Sequence, residues 1–319
     1  MVYTFCVTPA NEFAGTGANK FANTSMGNLI EWASTHFWAI LWTVLGIYVV
    51  ISVLVYFLQD IILFRPEKLS SEFQFNYENL NFDEYKMDIK PGVVLSGIHF
   101  KSENPIGVVF YLKGNSRSIK GWGKFAIDFL RYNYDVIMVD YRGFGKSTGI
   151  KTQQEIINDL QLVYDKIKSN VAEKHIVLYG RSLGSGFATK LASTNNPRML
   201  ILDAPYYSMS KTTSRYMPFM PMSWLLKFPI PTYKWIKYVK CPIHIVHGTN
   251  DNLIPLNSSI KLSEINPTIT RLHAVIGGGH NNMHNYESYH EILSQIFTKD
   301  KLAFDREKSS IQFSRKKDK

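Results

Sequence analysis

Ser182 is the residue whose neighbours in sequence point most directly to chemistry. It lies in the motif Gly180-Arg181-Ser182-Leu183-Gly184, after an apolar strand-like run at residues 175–179 and before a small-residue helical stretch at 183–193. At so sharp a strand-to-helix turn, a Cβ at either glycine would meet neighbouring backbone, and the turn raises the serine hydroxyl above the sheet. The motif therefore predicts a nucleophile elbow, in which Ser182 attacks an acyl carbon.

Two further residues follow strand-like runs, at the positions where open α/β sheets carry their functional side chains. Asp251 comes after the run 243–246, and His280 comes after the last run and three glycines. We predict that His280 is the base that takes the Ser182 proton and that Asp251 orients the imidazole. Asp203 also ends a strand-like run and is the alternative acid.

The sequence predicts no cofactor and no metal. His284 follows His280 at helical spacing, but no acidic residue stands between them, unlike in a zinc-binding helix. Residues 143–148 resemble a phosphate-binding loop, yet Asp140 occupies the place of its first glycine. Nucleotide binding is therefore not expected.

Apolar runs of strand length alternate with helical stretches along most of the chain. The expected strands are 85–89, 94–100, 107–112, 136–139, 175–179, 199–202, 243–246 and 272–276. The expected helices are 119–132, 153–169, 183–193, 255–264 and 287–297. The first two strands suggest an antiparallel hairpin, and the others suggest a mostly parallel eight-stranded sheet flanked by helices.

These motifs, in their order and spacing, resemble the α/β-hydrolases, and most of all their single-pass, membrane-anchored members, which include protein depalmitoylases and serine aminopeptidase-like hydrolases. The resemblance covers residues 59–298. Its motifs are Leu63-Phe64-Arg65-Pro66, Gly114-Asn115, Asp140 to Ser147, the elbow, His247 to Asp251, and Gly279-His280. It implies the α/β-hydrolase fold and a serine hydrolase whose triad runs Ser182, Asp251, His280 along the chain.

The resemblance also implies an oxyanion hole made of backbone N–H groups. The expected donors are Leu183, next to the nucleophile, and Asn115, in the loop after the strand that ends at Leu112. The family usually has His-Gly-Asn in this loop, whereas here Lys113 precedes Gly114. The family pattern further makes Asp140 and Arg142 a structural pair that closes a turn beside the active-site strands.

Residues 37–58 form an uncharged stretch of 22 residues, long enough at ~1.5 Å per residue to cross a ~30 Å hydrocarbon core. We predict a transmembrane helix over residues 29–58, because a buried core helix or a cleaved signal peptide fits this length less well. Lys20 is the basic residue before the stretch, whereas Arg65 and Lys68 follow it. This asymmetry favours a cytoplasmic catalytic domain.

The predicted order along the chain is a disordered leader at 1–28, the transmembrane helix, a hydrolase domain at 59–300 and a basic tail at 301–319. Residues 206–240 form an insertion rich in methionine, aromatic residues and proline. This insertion is expected either to act as a lid over an acyl chain or to pack on the core. The tail is expected to be solvated, with contact to anionic lipid headgroups as the alternative.

Composition excludes several classes of protein. The hydrophobic content of 45% fits a chain with a large core. The net charge of +10 comes from basic residues spread along the chain, with a cluster only at 308–319, so a nucleic-acid partner is not expected. Cys6 and Cys241 do not make a disulfide framework.

The sequence therefore predicts a membrane-anchored serine hydrolase that cleaves an ester, thioester or small amide through an acyl-enzyme. The expected partners are the membrane and an acyl-bearing substrate, which is a lipid, a small molecule or an acylated protein. Two alternatives stay open. One is a catalytically silent scaffold of the same fold, and the other is an acyltransferase that passes the acyl group to an acceptor other than water.

Overall fold

The computed structural model describes the backbone of residues 16–317 and the side chains of residues 26–302. The chain divides between Phe57 and Leu58 into two compact units. Helix α1, Thr16–Phe64, contains the predicted span but begins earlier, so residues 16–28 are helical where a disordered leader was expected. Within it, Met26–Phe64 is long and apolar enough to cross a membrane by length and composition, and an 18-residue window in it has a mean hydropathy of 2.4.

The predicted eight-stranded, mostly parallel sheet is confirmed. Its order in space is β1-β2-β4-β3-β5-β6-β7-β8. Strand β1 pairs antiparallel with β2, and β2 pairs antiparallel with β4, while all later neighbours are parallel. The strands are β1 Phe82–Lys90, β2 Val93–Phe100, β3 Gly107–Leu112, β4 Tyr134–Val139, β5 Ile176–Arg181, β6 Met199–Asp203, β7 Ile243–Gly248 and β8 Thr270–Val275.

Helices cover both faces of this sheet because its central strands β3, β5 and β6 are buried at every position and are apolar over most of their length. On β5, Leu178 belongs to one buried cluster, whereas Val177 and Tyr179 belong to the cluster on the opposite face. Side chains alternate between faces along a strand, so a strand buried on both sides has no polar stripe. The helices after α1 are α2 Ile119–Trp122, α3 Ile127–Leu130, α4 Gln153–Lys168, α5 Leu183–Thr194, α6 Met209–Tyr216, α7 Met222–Leu225, α8 Thr232–Trp235, α9 Asn257–Ser263 and α10 Glu287–Lys317.

Two helix predictions were wrong in extent. The stretch 119–132 is not one helix, since a 3₁₀ turn at Gly123–Ala126 separates α2 from α3. A Cβ built on Gly123 would lie 2.4 Å from the Tyr77 ring, so the backbone approaches that ring more closely than another residue would allow. At the other end of the chain, α10 continues to Lys317 through the region predicted as a solvated tail.

The insertion at 206–240 divides between core and surface. Phe228 and Ile230 are buried in the main core, and the Phe228 ring packs against Phe64 with centroids 4.5 Å apart. Phe219 and Trp224 are 89% and 88% exposed. One part of the insertion therefore packs on the core, which was one of the two expectations. The other part presents apolar side chains at the surface.

The two glycines of the elbow allow β5 and α5 to approach each other as the sequence predicted. A Cβ on Gly180 would lie 2.6 Å from the Gly184 carbonyl oxygen and 2.7 Å from Ser185 Cα. A Cβ on Gly184 would lie 2.0 Å from the Leu112 carbonyl oxygen, at the end of β3. These contacts are with backbone, which cannot rotate away, so neither position tolerates a side chain.

We expect Gly184→Ala to lower the free energy of unfolding by about 3 kcal/mol or more, because its Cβ would displace β3 or α5. Gly92→Ala is the matched control, since Gly92 has φ 78° but nothing within 4 Å of an added Cβ. A left-handed conformation alone costs roughly 1–2 kcal/mol. Urea unfolding of the detergent-solubilised chain measures both losses, and equal losses would contradict the steric explanation.

Candidate active site

Ser182 lies at the tip of the turn between β5 and α5. Its φ of 48° and ψ of −115° are strained for a residue with a side chain. Its N–H donates to the Asp203 carbonyl oxygen at 2.8 Å, and its own carbonyl accepts the Ser185 N–H at 2.9 Å. The strain is therefore held by backbone hydrogen bonds on both sides of the turn.

The structure brings Ser182, His280 and Asp251 together from three separate loops. The Ser182 Oγ lies 2.9 Å from His280 Nε2, and His280 Nδ1 lies 2.7 Å from Asp251 Oδ2. When Nδ1 carries the ring proton it donates to the carboxylate, and Nε2 is then free to accept the hydroxyl proton. This geometry can activate a serine hydroxyl by general-base catalysis.

Asp251 is buried and held on both of its carboxylate oxygens. Its Oδ1 accepts the N–H groups of Leu253 and Ile254 at 2.9 and 2.8 Å. Its Oδ2 lies 3.3 Å from His247 Nε2 as well as beside His280. Burial acts to raise the pKa of Asp251, but the hydrogen bonds from His247, His280 and the Ile254 N–H outweigh it and lower this pKa. The group therefore remains a carboxylate beside the imidazole at neutral pH.

Asp203, the alternative acid, lies in a different set of contacts. Its Oδ2 accepts the Tyr179 hydroxyl at 2.5 Å and lies 3.7 Å from Arg181 Nε. The carboxylate that contacts His280 is that of Asp251. His284, whose spacing resembled a metal site, has its ring 4.9 Å from that of Phe125.

The two expected oxyanion donors lie on adjacent loops. Leu183 begins α5, and the first N–H groups of a helix have no intrahelical acceptor. Asn115 is in the loop that leaves β3 at Leu112, the carbonyl that Gly184 approaches so closely. This loop is tightly turned, because the Asn115 Oδ1 accepts the next N–H at 2.6 Å and both residues that follow have positive φ.

Lys113 stands where the family usually has histidine, and its amine is fully buried. The Nζ lies 3.5 Å from Asp140 Oδ1 and 3.7 Å from the centroid of the Phe144 ring, and it donates to the Arg117 carbonyl at 3.4 Å. Burial lowers the pKa of Lys113 to about 8, against the opposing effect of Asp140. Lys113 thus braces the loop that contains Asn115 from inside the protein.

Asp140 and Arg142 do not form the expected pair with each other. Asp140 accepts the Ile119 N–H at 3.1 Å and pairs with Lys113. Arg142 instead holds Asp159 through two hydrogen bonds, from Nε at 2.7 Å and from Nη2 at 2.8 Å. Asp140 therefore fixes the start of α2, and Arg142 fixes α4.

The buried ion pairs beside the site were missed at the sequence level. Lys113 and Asp140 each follow directly on β3 and β4, and Arg181 and Asp203 are register partners at the ends of β5 and β6. Opposite charges directly after neighbouring parallel strands meet at one sheet edge. That spacing is the signal from which both pairs could have been found.

Three comparisons with known proteins give consistent results. A family model described as serine aminopeptidase, S33, matches residues 103–238. The alpha/beta hydrolase domain-containing protein aho-3 of Caenorhabditis elegans is 30% identical over 163 residues, which cover 50% of this chain and 48% of that protein. Lysophosphatidylserine lipase ABHD12 of Danio rerio is 25% identical over 191 residues, which cover 52% of this chain and 48% of that protein.

The solved structures that resemble this chain include the Pyrococcus furiosus esterase Pf2001, with a TM-score of 0.59 and 20% identity, covering 75% of this chain and 98% of that one. The chain spans about half the length of aho-3 and of the Danio rerio lipase. The sheet order and these matches show that the chain has the α/β-hydrolase fold, and in sequence it is similar to members of the α/β-hydrolase superfamily.

We expect Lys113→Met to change how stability depends on pH. The folded-state pKa of Lys113, about 8, lies below its ordinary value of 10.5, so the unfolded chain binds more protons between these values. This lysine therefore makes the unfolding free energy of the natural chain rise from pH 8 to pH 10, and the variant lacks that rise.

The measurement is urea unfolding at several pH values for the natural chain, Lys113→Met and Lys237→Met, in which an exposed lysine is replaced. The unfolding free energy of the natural chain minus that of Lys113→Met should increase with rising pH. The unfolding free energy of the natural chain minus that of Lys237→Met should stay constant. Parallel curves for all three proteins would show that the buried amine does not titrate in this range.

Proposed function

We propose that this chain is a membrane-anchored serine hydrolase that cleaves an ester, thioester or small amide through an acyl-enzyme. The observation that carries the proposal is the continuous contact from Ser182 Oγ through the His280 ring to Asp251 Oδ2, at 2.9 and 2.7 Å. The strained turn at Ser182 supports it further, because strain of this kind is typical of nucleophile elbows.

In the proposed reaction, Ser182 Oγ bonds to the acyl carbon while its proton moves to His280 Nε2. Asp251 stabilises the resulting imidazolium, and the N–H groups of Leu183 and Asn115 donate to the developing oxyanion. As the tetrahedral intermediate collapses, the bond to the leaving group breaks and His280 returns the proton to that group. Water then repeats the sequence on the acyl-enzyme and releases the acid.

Two findings support an acyl substrate with a hydrophobic chain. The relatives of the chain include proteins named as a lysophosphatidylserine lipase and as an esterase. The insertion exposes Phe219 and Trp224 close in sequence to the buried Met222. An apolar surface of this kind suits a flexible alkyl chain.

Membrane anchoring is proposed from α1. The segment Met26–Phe64 has the length and hydropathy of a span, and its large apolar side chains, such as Trp38 and Phe57, are 63% and 67% exposed. An exposed apolar surface of this extent requires a lipid or protein partner. The basic residues Arg65 and Lys68 after the span favour a cytoplasmic catalytic domain.

We expect Ser182→Ala to lower kcat for acyl esters by about 10⁴-fold or more, since the variant lacks the nucleophile. It should also abolish covalent labelling by a fluorophosphonate probe. Ser193→Ala, on the same helix, is the matched control and should label like the natural chain. A natural chain that does not label would instead favour the binding scaffold.

Two variants, Asp251→Asn and Asp203→Asn, should show which carboxylate orients His280. Because the Asp251 carboxylate contacts His280 whereas that of Asp203 contacts Tyr179 and Arg181, we expect Asp251→Asn to lower kcat by roughly 10⁴-fold, as loss of the orienting carboxylate does in serine hydrolases. Asp203→Asn leaves Arg181 buried without its partner and should mainly lower thermal stability. Steady-state kinetics and melting curves on both variants measure these two effects. A larger loss of kcat in Asp203→Asn than in Asp251→Asn would assign the orienting carboxylate to Asp203 instead.

We expect the full chain to stay in the membrane pellet after extraction with alkaline carbonate and to dissolve only in detergent, because the apolar area of α1 anchors it independently of charge. Fractionation followed by immunoblotting measures this. A peripheral protein treated in parallel is the control. Release of the chain together with that control would exclude a spanning helix.

A further inference from the structure

The last turn of helix α1 is built into the hydrolase domain. Residues 58–64 belong to the same compact unit as the sheet. Gln59 is buried, and its side-chain amide donates to the Leu225 carbonyl at 3.0 Å and accepts the Lys227 N–H at 2.7 Å. Both partners lie in the insertion. Because the amide is held at its nitrogen and at its oxygen, the end of α1 and this part of the insertion are fixed side by side.

Two backbone hydrogen bonds join the chain around the end of α1 to loops of the sheet. The Phe64 carbonyl accepts the Ser116 N–H at 3.1 Å, in the loop that leaves β3. The Leu69 N–H donates to the Gly145 carbonyl at 3.0 Å, in the loop that leaves β4. The insertion, which Gln59 contacts, follows β6, and β3, β4 and β6 run in the same direction. The end of α1 therefore lies at the carboxyl edge of the sheet, which also carries the proposed triad.

The composition of α1 indicates where this turn meets the bilayer. Residues 37–58 are uncharged, and Asp60 is the first charged residue after them. A hydrocarbon core disfavours charged side chains, so its boundary lies near Leu58. A helix rises only ~1.5 Å per residue, so Gln59 stays beside that boundary at any tilt of the span. The part of the insertion that binds Gln59 must then lie close to the membrane surface as well.

The surface beside this contact is apolar. Trp224 precedes Leu225, the hydrogen-bond partner of Gln59, and is 88% exposed, as is Phe219 at 89%. On the turn itself, Ile61 and Ile62 are exposed whereas Gln59 is buried. Large apolar side chains gathered at a surface mark a lipid or protein partner. Tryptophan in particular is enriched where a membrane meets water.

Basic side chains lie around the same turn. Lys151 Nζ is 5.3 Å from the centroid of the Phe64 ring, and Lys227 Nζ is 3.5 Å from Asp60 Oδ2. Lys68 follows the turn and is exposed. Apolar side chains together with lysines match the two layers of a membrane interface, since the former enter the acyl region and the latter stay at the headgroups. The bilayer is also the partner that the chain itself brings to this surface.

We propose that the hydrolase domain lies with this surface on the bilayer that α1 spans, and that Trp224 and Phe219 insert between the headgroups and the acyl chains. The inference rests on the membrane span of the proposed function and is independent of hydrolysis. The carboxyl edge of the sheet, which carries Ser182, then faces the lipid.

Quenching of a fluorophore by labelled lipid tests this docking in the full chain. The variants Trp224→Cys and Phe219→Cys are made in a Cys6→Ser chain, in which the remaining Cys241 is buried, and are labelled with the fluorophore NBD. They are reconstituted in phosphatidylcholine vesicles with and without phosphatidylcholine that carries a nitroxide near the top of one acyl chain. The Cys6→Ser chain treated in the same way gives the background.

Tyr238→Cys is the matched control. Tyr238 is an exposed aromatic residue of the same insertion, but it comes just before β7 and so lies near the amino edge of the sheet. Leu45→Cys, inside the predicted span, reports membrane insertion of α1 by itself. Melting temperatures equal to that of the natural chain show that the labelled variants fold.

The nitroxide lipid should lower NBD emission at positions 224 and 219 by about half, because interfacial side chains enter the bilayer by ~5–10 Å. Emission at position 238 should not change. Quenching at position 45 but at neither 224 nor 219 would overturn the docking and leave the span intact, and is the result that a protein-binding surface would give. Equal quenching at 224 and 238 would also overturn it. Emission unchanged at all four positions would refute the span itself.

Discussion

The close approach of helix α5 to the end of strand β3 is the constraint on which the rest of the site depends. Gly184 lies so near the Leu112 carbonyl that even a methyl group would overlap it. This approach allows the chain to turn at Ser182 and also places the loop from β3, with Asn115, beside the start of α5. One steric requirement therefore fixes both Ser182, the proposed nucleophile, and the proposed oxyanion donors, which explains why two glycines flank the serine.

Buried ion pairs hold the loops whose conformation the close approach of α5 to β3 does not determine. The pairs Lys113–Asp140 and Arg181–Asp203 lie at the carboxyl edge of the sheet, close to the elbow. Burying such pairs is expensive in desolvation, and an apolar replacement is often equally stable. Here the pairs stand where loops must keep one conformation, since Lys113 also holds the Arg117 carbonyl and Asp140 also holds the start of α2. These ion pairs therefore contribute mainly by holding the loops in position, and less by adding to the stability of the fold.

The sequence predicted what depends on local pattern. All eight strands and the elbow follow from apolar runs and glycine spacing, whereas the choice of Asp251 over Asp203 as the carboxylate beside His280 came from the resemblance to the family. The break between α2 and α3 was not predicted, and it occurs where Gly123 packs closely against the ring of Tyr77, a residue distant in sequence. The partner of Asp140 was also missed, because pairing it with Lys113 requires comparing the ends of two strands, β3 and β4, and the motifs were interpreted one segment at a time.

The loop that carries Asp251 contacts both His280 and the insertion. Asp251 accepts the N–H groups of Leu253 and Ile254, and Tyr216 of α6 binds the carbonyl of Leu253 on the outer side of the same loop. Loops at the carboxyl ends of the strands thus supply Ser182 and His280, while the insertion contacts the loop of Asp251, whose carboxylate lies beside the His280 ring. Because backbone N–H groups hold one carboxylate oxygen of Asp251 and the His247 and His280 rings lie beside the other, changes of side chain in α6 leave all of these contacts to Asp251 in place.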